Sequence, residues 1–274
     1  MNWQGIWTIA RKDLLLVRRS PPMFYPLVVL STLILLVLPL IVTVLASSES
    51  AAESVMRQWD VLSRNIPDGV TALSIDVGTE QQRLVILGNV YLLAPFYLLV
   101  PLLVATVIAA DTFAGEKERR TLEALLYAPL TDREILAGKL LAAWLPAILV
   151  GVGGFLVYTV VLNLTAWPIF GTIFFPTSMW LLLVFWLGPA ISGLGLGTMV
   201  LVSARVRSMQ EATQLGGGIV LPVILLIAGQ MTGVLYFSNL LVLVLGGVIW
   251  LVNIVLLARV MSRFQRERLL LSDK

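Results

Sequence analysis

The sequence contains no cysteine and no histidine. Without cysteine there can be no disulfide framework, no thiol nucleophile and no thiolate metal site. Without histidine there can be no Ser-His hydrolase site, no H-E-x-x-H zinc site and no His-ligated haem. Catalysis by Asp, Glu or Lys is the enzymatic chemistry that these absences leave open.

Charged residues are also scarce: they make up 13% of the chain, whereas apolar residues make up 58%. Soluble globular domains average about 25% charged and about 45–50% apolar residues. So few charges cannot cover a water-facing surface, and the composition therefore favours a protein embedded in a lipid bilayer. The formal net charge of +3 is then better explained by basic cytoplasmic loops than by a nucleic-acid partner, which we do not expect.

Six long apolar stretches predict six transmembrane helices, because about 20 apolar residues suffice for one crossing of the hydrocarbon core. The predicted spans are 23–46, 85–110, 135–162, 177–202, 215–237 and 240–261. Two charged residues fall inside these limits, Lys139 near the start of span 3 and Arg259 in the last turn of span 6, and we expect the Lys139 side chain to reach the interface by snorkelling. The sequence therefore predicts an all-α polytopic membrane protein, with an interfacial segment over 1–22, a membrane domain over 23–262 and a cytoplasmic tail over 263–274.

The distribution of basic residues predicts the orientation of these helices. Sixteen of the nineteen Lys and Arg residues lie before span 1, in or beside the 2–3 and 4–5 connections, or at and after the end of span 6. The opposite side has only Arg57, Arg64 and Arg83. Because basic residues are retained on the cytoplasmic side, we expect a multi-pass protein of the cell (inner or cytoplasmic) membrane with both termini in the cytoplasm.

Residues 2–19 have the pattern of an amphipathic helix, with apolar side chains at spacings of three and four. These apolar residues are Trp3, Ile6, Trp7, Ala10, Leu14 and Val17. The proline pair at 21–22 favours a separate helix on the membrane surface over a simple extension of span 1. We expect four residues to anchor it at the lipid interface: Trp3, Trp7, Arg11 and Lys12.

The segment 47–84 is the one sizeable loop predicted on the extracytoplasmic side. Val55, Trp59 and Leu62 have helical spacing within it. The pattern predicts a short helix on the outer surface. A lid over a substrate exit is the alternative, but charge and amphipathicity alone do not define a gate.

The connection between spans 2 and 3 carries the most informative sequence. Glu116 and Arg120 have the spacing of an i,i+4 ion pair, and a leucine-rich patch follows this charged turn. A capping box at 131–134 then begins the next helix. The stretch predicts a short cytoplasmic helix over 112–128 with the character of a docking surface.

The two most distinctive stretches of this connection are Ala114-Gly-Glu-Lys-Glu-Arg-Arg-Thr-Leu-Glu123 and Pro129-Leu-Thr-Asp-Arg-Glu-Ile-Leu-Ala-Gly-Lys139. Together they closely resemble the motif of type-2 ATP-binding-cassette (ABC) exporter permeases. The six-span plan with an N-terminal interfacial helix is similar to that family as well. One departure is the short stretch 229–239, where many members insert re-entrant helices between spans 5 and 6. Either span 5 stops near Ala228 and this stretch forms a small re-entrant turn, or the feature is absent.

The resemblance implies both a function and a set of partners. The segment 112–128 would be the coupling helix that docks on a separate ABC ATPase subunit, present in two copies. ATP and Mg would be bound by that subunit, since this sequence has no G-x-x-x-x-G-K-[ST] motif; the chain itself would hold no cofactor or metal and would not be catalytic. A second permease copy or a related permease, surrounded by membrane lipid, would complete the translocation path. The implied ATPase contacts are Glu116, Arg119, Arg120, Leu122, Glu123 and Leu125.

Apart from Arg259 in the last turn of span 6, the predicted spans contain no Asp, Glu or Arg, which weakens an ion-driven carrier or an ion pore. We expect Gly193 and Gly197 to serve close helix packing. The weakly polar residues of the spans are expected to bond between helices more often than to contact substrate; they are Asn89, Tyr91, Gln230, Thr232 and Asn253. The expected function is ATPase-driven export of a hydrophobic or amphipathic substrate. The alternative is a non-transporting membrane scaffold or sensor that anchors a cytoplasmic partner.

Overall fold

The computed structural model describes residues 3–18, 21–58, 78–119, 130–206 and 208–263. Within these ranges every regular element is a helix. The N-terminal helix is Trp3–Arg18, and a second short helix, Glu49–Gln58, follows the first span. Six helices among the described residues are long and apolar enough to cross a membrane, which confirms the predicted all-α, six-span fold.

The six spans are Tyr25–Ser47, Glu80–Glu118, Asp132–Phe170, Ser178–Ser203, Met209–Met231 and Asn239–Met261. The helix of span 1 already begins at Pro21, and that of span 6 continues to Arg263. Several spans are not regular α-helices throughout. Their π-helical segments are Leu33–Val37, Ile86–Leu92, Asp111–Gly115 and Leu183–Leu187, and span 5 contains a 3₁₀ segment, Gly217–Val220.

Hydroxyl side chains begin several spans by capping the free N–H groups of the first helical turn. Thr79 and Gln82 form a capping box at the start of span 2. The hydroxyl groups of Thr177 and Ser208 cap spans 4 and 5 by accepting from the N–H groups of Trp180 and Glu211. Span 3 ends at Gly171, whose φ of 64° lies in the left-handed region that favours glycine.

Spans 2 and 3 are much longer than a bilayer requires, with 39 residues each. At 1.5 Å per residue, each is about 58 Å long, whereas the hydrocarbon core is about 30 Å thick. Both helices therefore project beyond the bilayer. The projecting end of span 2 is Asp111–Glu118, so residues predicted to begin a separate helix at 112 are instead the last turns of span 2.

Span 2 is the central helix of the bundle. In its most apolar stretch of 18 residues, 72% is buried inside the protein, against 11% for the corresponding stretch of span 6. Its first π-helical segment, Ile86–Leu92, offers three successive backbone carbonyls to side chains of three other spans. The hydrogen bonds run from Tyr158 Oη to Asn89 O (2.6 Å), from Trp180 Nε1 to Val90 O (2.8 Å) and from Gln230 Nε2 to Tyr91 O (2.6 Å). Spans 3, 4 and 5 are thus joined to one irregular turn of span 2.

Hydrogen bonds define two ends of the bundle. At one end, which we call the basic end, the N-terminal helix, the end of span 2, the start of span 3 and the 4–5 connection meet. At the opposite end, Gln82 Nε2 donates to Ile169 O over 3.2 Å, and Asn239 Nδ2 donates to Ser178 Oγ over 3.0 Å. The alternation of ends along the chain matches the predicted order of connections.

The connection between spans 5 and 6 contains no re-entrant helix, because residues 232–238, all described, form turns and irregular chain. Span 5 continues to Met231 and ends at Gly233, whose φ is 72°. The N–H groups of Val234 and Leu235 both donate to Gly229 O over 3.0 Å. This closed turn leaves the family feature absent from the chain at this position.

Glycines and amides within the spans serve packing, as predicted. A Cβ atom at Gly193 would lie 2.9 Å from the Asn253 amide, and one at Gly197 would lie 3.4 Å from Leu256. Asn253 Nδ2 in turn donates to Ala190 O over 2.7 Å. Spans 4 and 6 therefore approach closely through small residues, which is a common packing mode in membranes.

Candidate coupling site

The structure describes two of the six residues predicted to contact an ATPase, Glu116 and Arg119. The other four lie outside the described residues; they are Arg120, Leu122, Glu123 and Leu125. The predicted Glu116–Arg120 pair is likewise untested. The described residues show instead how the two ends of this segment are held.

Four consecutive residues at the end of span 2, 116–119, each bond to a different part of the chain, and we call them the clamp. Glu116 binds Lys139 and Lys12, Lys117 Nζ donates to Val206 O (3.1 Å), the Met209 N–H donates to Glu118 (2.9 Å), and Arg119 donates to Asp111 (2.7 Å). The clamp therefore connects span 2 to the N-terminal helix, to span 3 and to the start of span 5.

Lys139 is the centre of this arrangement and is 0% exposed. Its Nζ donates to the Glu116 carboxylate and, over 3.0 Å, to Thr112 O, and it lies 5.5 Å from the centre of the Phe113 ring. The predicted snorkelling of Lys139 is therefore wrong. Its ammonium group is paired inside the protein, because a buried charge requires a partner.

Two residues of the N-terminal helix complete a quartet of charged residues, defined as Lys12, Asp13, Glu116 and Lys139; Lys12 is half-exposed and the other three are buried. Lys12 Nζ lies 3.0 Å from Glu116 and 3.2 Å from Asp13, and Asp13 lies 3.9 Å from Lys139 Nζ. The two contacts of Asp13 do not have hydrogen-bond geometry. Two formal positive and two formal negative charges balance within the quartet.

Burial shifts the two N-terminal members of the quartet in different ways. Burial raises the pKa of Asp13 above its usual value, although the nearby Lys139 and Lys12 act in the opposite direction. Burial by itself would lower the pKa of Lys12, but Asp13 and Glu116 outweigh it and raise that pKa. Lys12 is therefore fully charged at neutral pH, while ionisation of Asp13 is less favourable in the folded protein than in the unfolded chain.

The N-terminal helix docks on span 3 through close backbone contact at Gly138. A Cβ atom at this position would lie 2.9 Å from both Ile6 O and Ile9 Cβ. Ile6, Ile9 and Ala10 are buried in this contact. The helix is thus confirmed by the structure, but its buried face is not the complete apolar stripe that the sequence suggested.

Trp3 and Trp7, predicted as interfacial anchors, lie on an exposed flank of the same helix, with 67% and 55% of their surfaces exposed. Arg11 is exposed as well. Lys12 is instead engaged by Glu116 and Asp13. Contact of these four residues with lipid stays a prediction.

The predicted capping box at the start of span 3 is confirmed. Thr131 Oγ1 accepts from the Glu134 N–H, and the Glu134 carboxylate accepts from the Thr131 N–H over 3.0 Å. The segment 120–129 therefore leaves span 2 from the clamp and enters span 3 through a second rigid turn.

A small apolar cavity of 180 Å³, partly open to the outside of the bundle, lies between spans 3, 4 and 6. Its walls include Trp144 and Trp250, whose rings meet edge to face at 6.2 Å. Asn253 is the one amide in its lining. Among the described residues, no group of three or more acidic residues is placed to hold a metal ion.

The sequence did not identify Asp13 or Lys139 as members of the site. A signal for Lys139 was present, because an ionisable residue inside a predicted span indicates function by default. No local pattern marks Asp13, since its partners are distant in sequence. The described chemistry of this site is mechanical connection through buried charges.

The fold and the basic end define a polytopic membrane protein whose projecting helices are tied together at one end. The family described as ABC-2 family transporter protein matches residues 7–244. The chain belongs to this family and is therefore a membrane-embedded permease subunit of an ABC transporter. A comparison with curated protein sequences gives no match. Membership of the family implies association with an ABC ATPase subunit.

Proposed function

We propose that this chain exports a hydrophobic or amphipathic substrate, driven by two copies of a separate ATPase subunit that bind ATP and Mg. A second copy of the chain, or a related permease, completes the path through the cell membrane. The basic end faces the cytoplasm, because sixteen of the nineteen Lys and Arg residues belong to the segments on that side. Both termini lie there as well.

The observation that carries this proposal is the clamp. The segment 120–129 is attached at Arg119 to a turn that bonds to spans 3 and 5 and to the N-terminal helix. A force on this segment therefore reaches several membrane helices. A scaffold requires only a docking surface and has no use for such connections, so the clamp favours the transporter.

The contact with the ATPase is assigned to Arg119, Arg120, Leu122, Glu123 and Leu125. Glu116 is buried and bonded to Lys139 and Lys12, so we assign it the task of holding the contact segment. Half-exposed Arg119 lies at the junction. The leucines supply the apolar centre of the interface and the charges its rim.

The substrate class follows from the absence of fixed charge in the path. Apart from Arg259 in the last turn of span 6, the predicted spans contain no Asp, Glu or Arg, and the cavity between spans 3, 4 and 6 is apolar apart from Asn253 and the tryptophan rings. An ionic cargo without counter-charge would be strongly disfavoured there. A hydrophobic or amphipathic molecule meets no such penalty.

Replacement of Leu125 by Asp tests this proposal. A carboxylate in the apolar centre of an interface should weaken binding by about 2 kcal/mol or more, roughly thirtyfold. Co-purification of the ATPase and ATP turnover in liposomes are the two measurements. The matched control is Leu125→Met, which conserves volume and polarity and should leave both unchanged.

The outcomes separate the two candidate functions. If Leu125→Asp changes neither association nor turnover in a folded protein, the assignment of this segment is wrong. If an ATPase associates but hydrolysis never responds to any hydrophobic compound in the liposome, the scaffold is favoured. Response to such compounds together with loss in the Asp variant supports export.

A further inference from the structure

Two buried polar atoms lie at the cavity between spans 3, 4 and 6. They are the indole nitrogen of Trp250 and the amide oxygen of Asn253, and neither has a hydrogen-bond partner among the described residues. Both side chains line the cavity. A buried polar group that bonds to nothing costs free energy, so two of them at one cavity call for an explanation.

The orientation of the Asn253 amide is determined by its other hydrogen bond. Its Nδ2 donates to Ala190 O over 2.7 Å, and a carbonyl oxygen can accept from the nitrogen of an amide but not from its oxygen. The reverse orientation would place two acceptors against each other. The atom without a partner is therefore Oδ1, which can only accept a hydrogen bond.

Trp250 differs from two neighbouring tryptophans in the use of its indole N–H. Trp144 donates to Pro189 O and Trp186 donates to Leu243 O, each over 3.1 Å. The ring of Trp250 packs against both of these rings, with centroids 6.2 Å and 6.1 Å away. Its own N–H finds no acceptor in the described part of the chain. The cavity therefore has one free donor and one free acceptor.

The donor and the acceptor suit a single hydroxyl group. Trp250 and Asn253 are three residues apart on span 6, so their side chains lie on the same face of the helix, with about 5–6 Å between Cβ atoms. One hydroxyl oxygen can accept from a nitrogen over about 3.0 Å and donate to an oxygen over about 2.8 Å. An ether or ester oxygen can only accept.

The remaining walls of the cavity favour an apolar and uncharged ligand. They include the aliphatic side chains of Leu140, Leu196, Leu257 and Val260, and no charged residue is among the described residues that line the cavity. An ionised carboxylate or phosphate would be buried there without a counter-charge. A buried water molecule makes about three hydrogen bonds, but this space offers two polar atoms within apolar walls.

The size and position of the cavity indicate where the ligand comes from. Its volume is 180 Å³, and a cavity of about 150 Å³ holds a molecule of benzene. Because the cavity is partly open, a longer molecule can extend out of it. Leu251 and Ile254 on span 6 are 66% and 63% exposed, and an exposed apolar surface of this kind faces lipid. The bilayer is therefore the source of the ligand.

We propose that this cavity is a binding site for a neutral lipid alcohol of the surrounding bilayer. The hydroxyl group accepts from Trp250 Nε1 and donates to Asn253 Oδ1, and the adjoining part of the hydrocarbon chain fills the space between the aliphatic side chains. The inference is independent of the proposed function, because it requires neither an ATPase nor transport.

Photo-cross-linking of the full chain in phosphatidylcholine liposomes tests the site. The probe is hexadecanol with a diazirine near its hydroxyl end, and mass spectrometry identifies the labelled peptides, which should come from spans 3, 4 and 6 around the cavity. Unlabelled hexadecanol should displace the probe at roughly tenfold lower mole fraction in the bilayer than hexadecane, because the alkane leaves both polar atoms without partners. Hexadecyl phosphate should compete no better than hexadecane, since its charge has no partner in the cavity.

Two tryptophan variants give a matched comparison. Trp250→Phe removes an N–H that bonds to no described residue, so the fold should be retained, and the tenfold advantage of hexadecanol over hexadecane should fall to about threefold. Trp144→Phe removes an N–H of the same cavity wall that is already bonded to Pro189 O, so it should leave the advantage unchanged. The ratio of alcohol to alkane corrects for the volume that both replacements remove.

Three results would overturn the proposal. They are equal displacement by hexadecanol and hexadecane, equal displacement by hexadecanol and hexadecyl phosphate, and an alcohol advantage that Trp250→Phe leaves intact. Where Trp250→Phe does not fold, the comparison of the three competitors on the wild-type chain decides. Failure of the exporter proposal would leave the expected results unchanged, because the liposomes contain no ATPase.

Discussion

The ammonium group of Lys139 and the carboxylate of Glu116 form a buried ion pair between the last turn of span 2 and the start of span 3. Twenty-three residues separate the two in sequence. The pair closes the base of the segment that joins the two spans. It therefore fixes the geometry from which segment 120–129 is presented.

The stability of the protein should depend strongly on this pair. Lys139→Met leaves Glu116 buried with a reduced counter-charge and should lower the free energy of unfolding by about 3–5 kcal/mol. The double variant Lys139→Met/Glu116→Gln should lose less, because both charges are removed. Unfolding in mixed detergent micelles measures the effect.

Glu53→Gln is the control for this comparison, because Glu53 pairs with Arg57 over 2.9 Å on an exposed helix face. Exposed i,i+4 pairs contribute only about 0.3–0.5 kcal/mol. A Lys139→Met effect as small as the control would contradict a buried, energetically important pair.

Asp13 should introduce a distinct pH dependence of stability. Its pKa is raised above 3.8 by burial, against the influence of Lys139 and Lys12 and together with that of Glu116. A raised pKa in the folded state contributes stability that is complete below the unfolded-state pKa and is lost as pH rises through the folded-state pKa. The melting temperature of the wild type relative to Asp13→Asn should therefore fall as the pH is raised through the interval above about pH 4. A relative rise over this interval would refute the assignment.

The irregular turn of span 2 should be stabilised by its donors from other spans. Pro95 has no N–H, so the carbonyl of Tyr91 lacks its α-helical donor and accepts from Gln230 instead. Gln230→Leu should lower the free energy of unfolding by about 0.6–1.7 kcal/mol. Adding Pro95→Ala should reduce this loss by restoring a backbone donor.

The control for Gln230→Leu is Thr232→Val, because the Thr232 hydroxyl donates only to carbonyls of its own helix, Ala228 and Gly229. It should have little effect on unfolding in micelles. Strictly additive losses in Gln230→Leu/Pro95→Ala would show that the proline does not create the need for the amide.

The exposed flank of the N-terminal helix should lie against lipid. A spin label at Trp7→Cys should be more accessible to oxygen, which partitions into the bilayer, than to a water-soluble relaxing agent. The matched site is Thr8→Cys, exposed on a different face, where the preference should be reversed. Equal accessibility at both sites would argue against an interfacial orientation.

The orientation of the bundle can be tested with single cysteines in intact cells. The excess of basic residues on one side predicts that Ser48→Cys reacts with an impermeant thiol reagent from outside, while Ser272→Cys does not. Labelling after permeabilisation is the control for reactivity. Reaction at 272 but not at 48 in intact cells would invert the topology.

Much of the architecture could be predicted because it depends on local sequence. A long apolar run must form a helix in a bilayer, where every backbone polar group needs an internal partner. The capping box at Thr131 and the packing role of Gly193 were equally local, and both are confirmed. The length of span 2 was underestimated, because the charged stretch Asp111–Glu118 continues the helix, with residues 111–116 buried against other elements.

The candidate site was predicted only in part, because its geometry comes from distant partners. Glu116 and Arg119 were identified from the motif, whereas the participation of Asp13 and Lys139 was not foreseen. Lys12 and Glu116 are 104 residues apart in sequence. Helical and strand periodicities relate only residues close in sequence, so they could not predict this contact. The predicted exposure of Lys139 failed for the same reason: its counter-charges are supplied by other helices.

The sequence by itself determined the number of spans, their order and the concentration of basic residues at one end, because hydrophobicity and charge act residue by residue. Only the tertiary structure decided which charges meet and which helix faces are buried. The stripe of the N-terminal helix is amphipathic in sequence, yet Ile6 is enclosed and Trp7 is exposed. Docking at Gly138 determines which face of the helix is buried. Because glycine has no side chain, the two backbones approach closely there, and Lys12 is brought to Glu116.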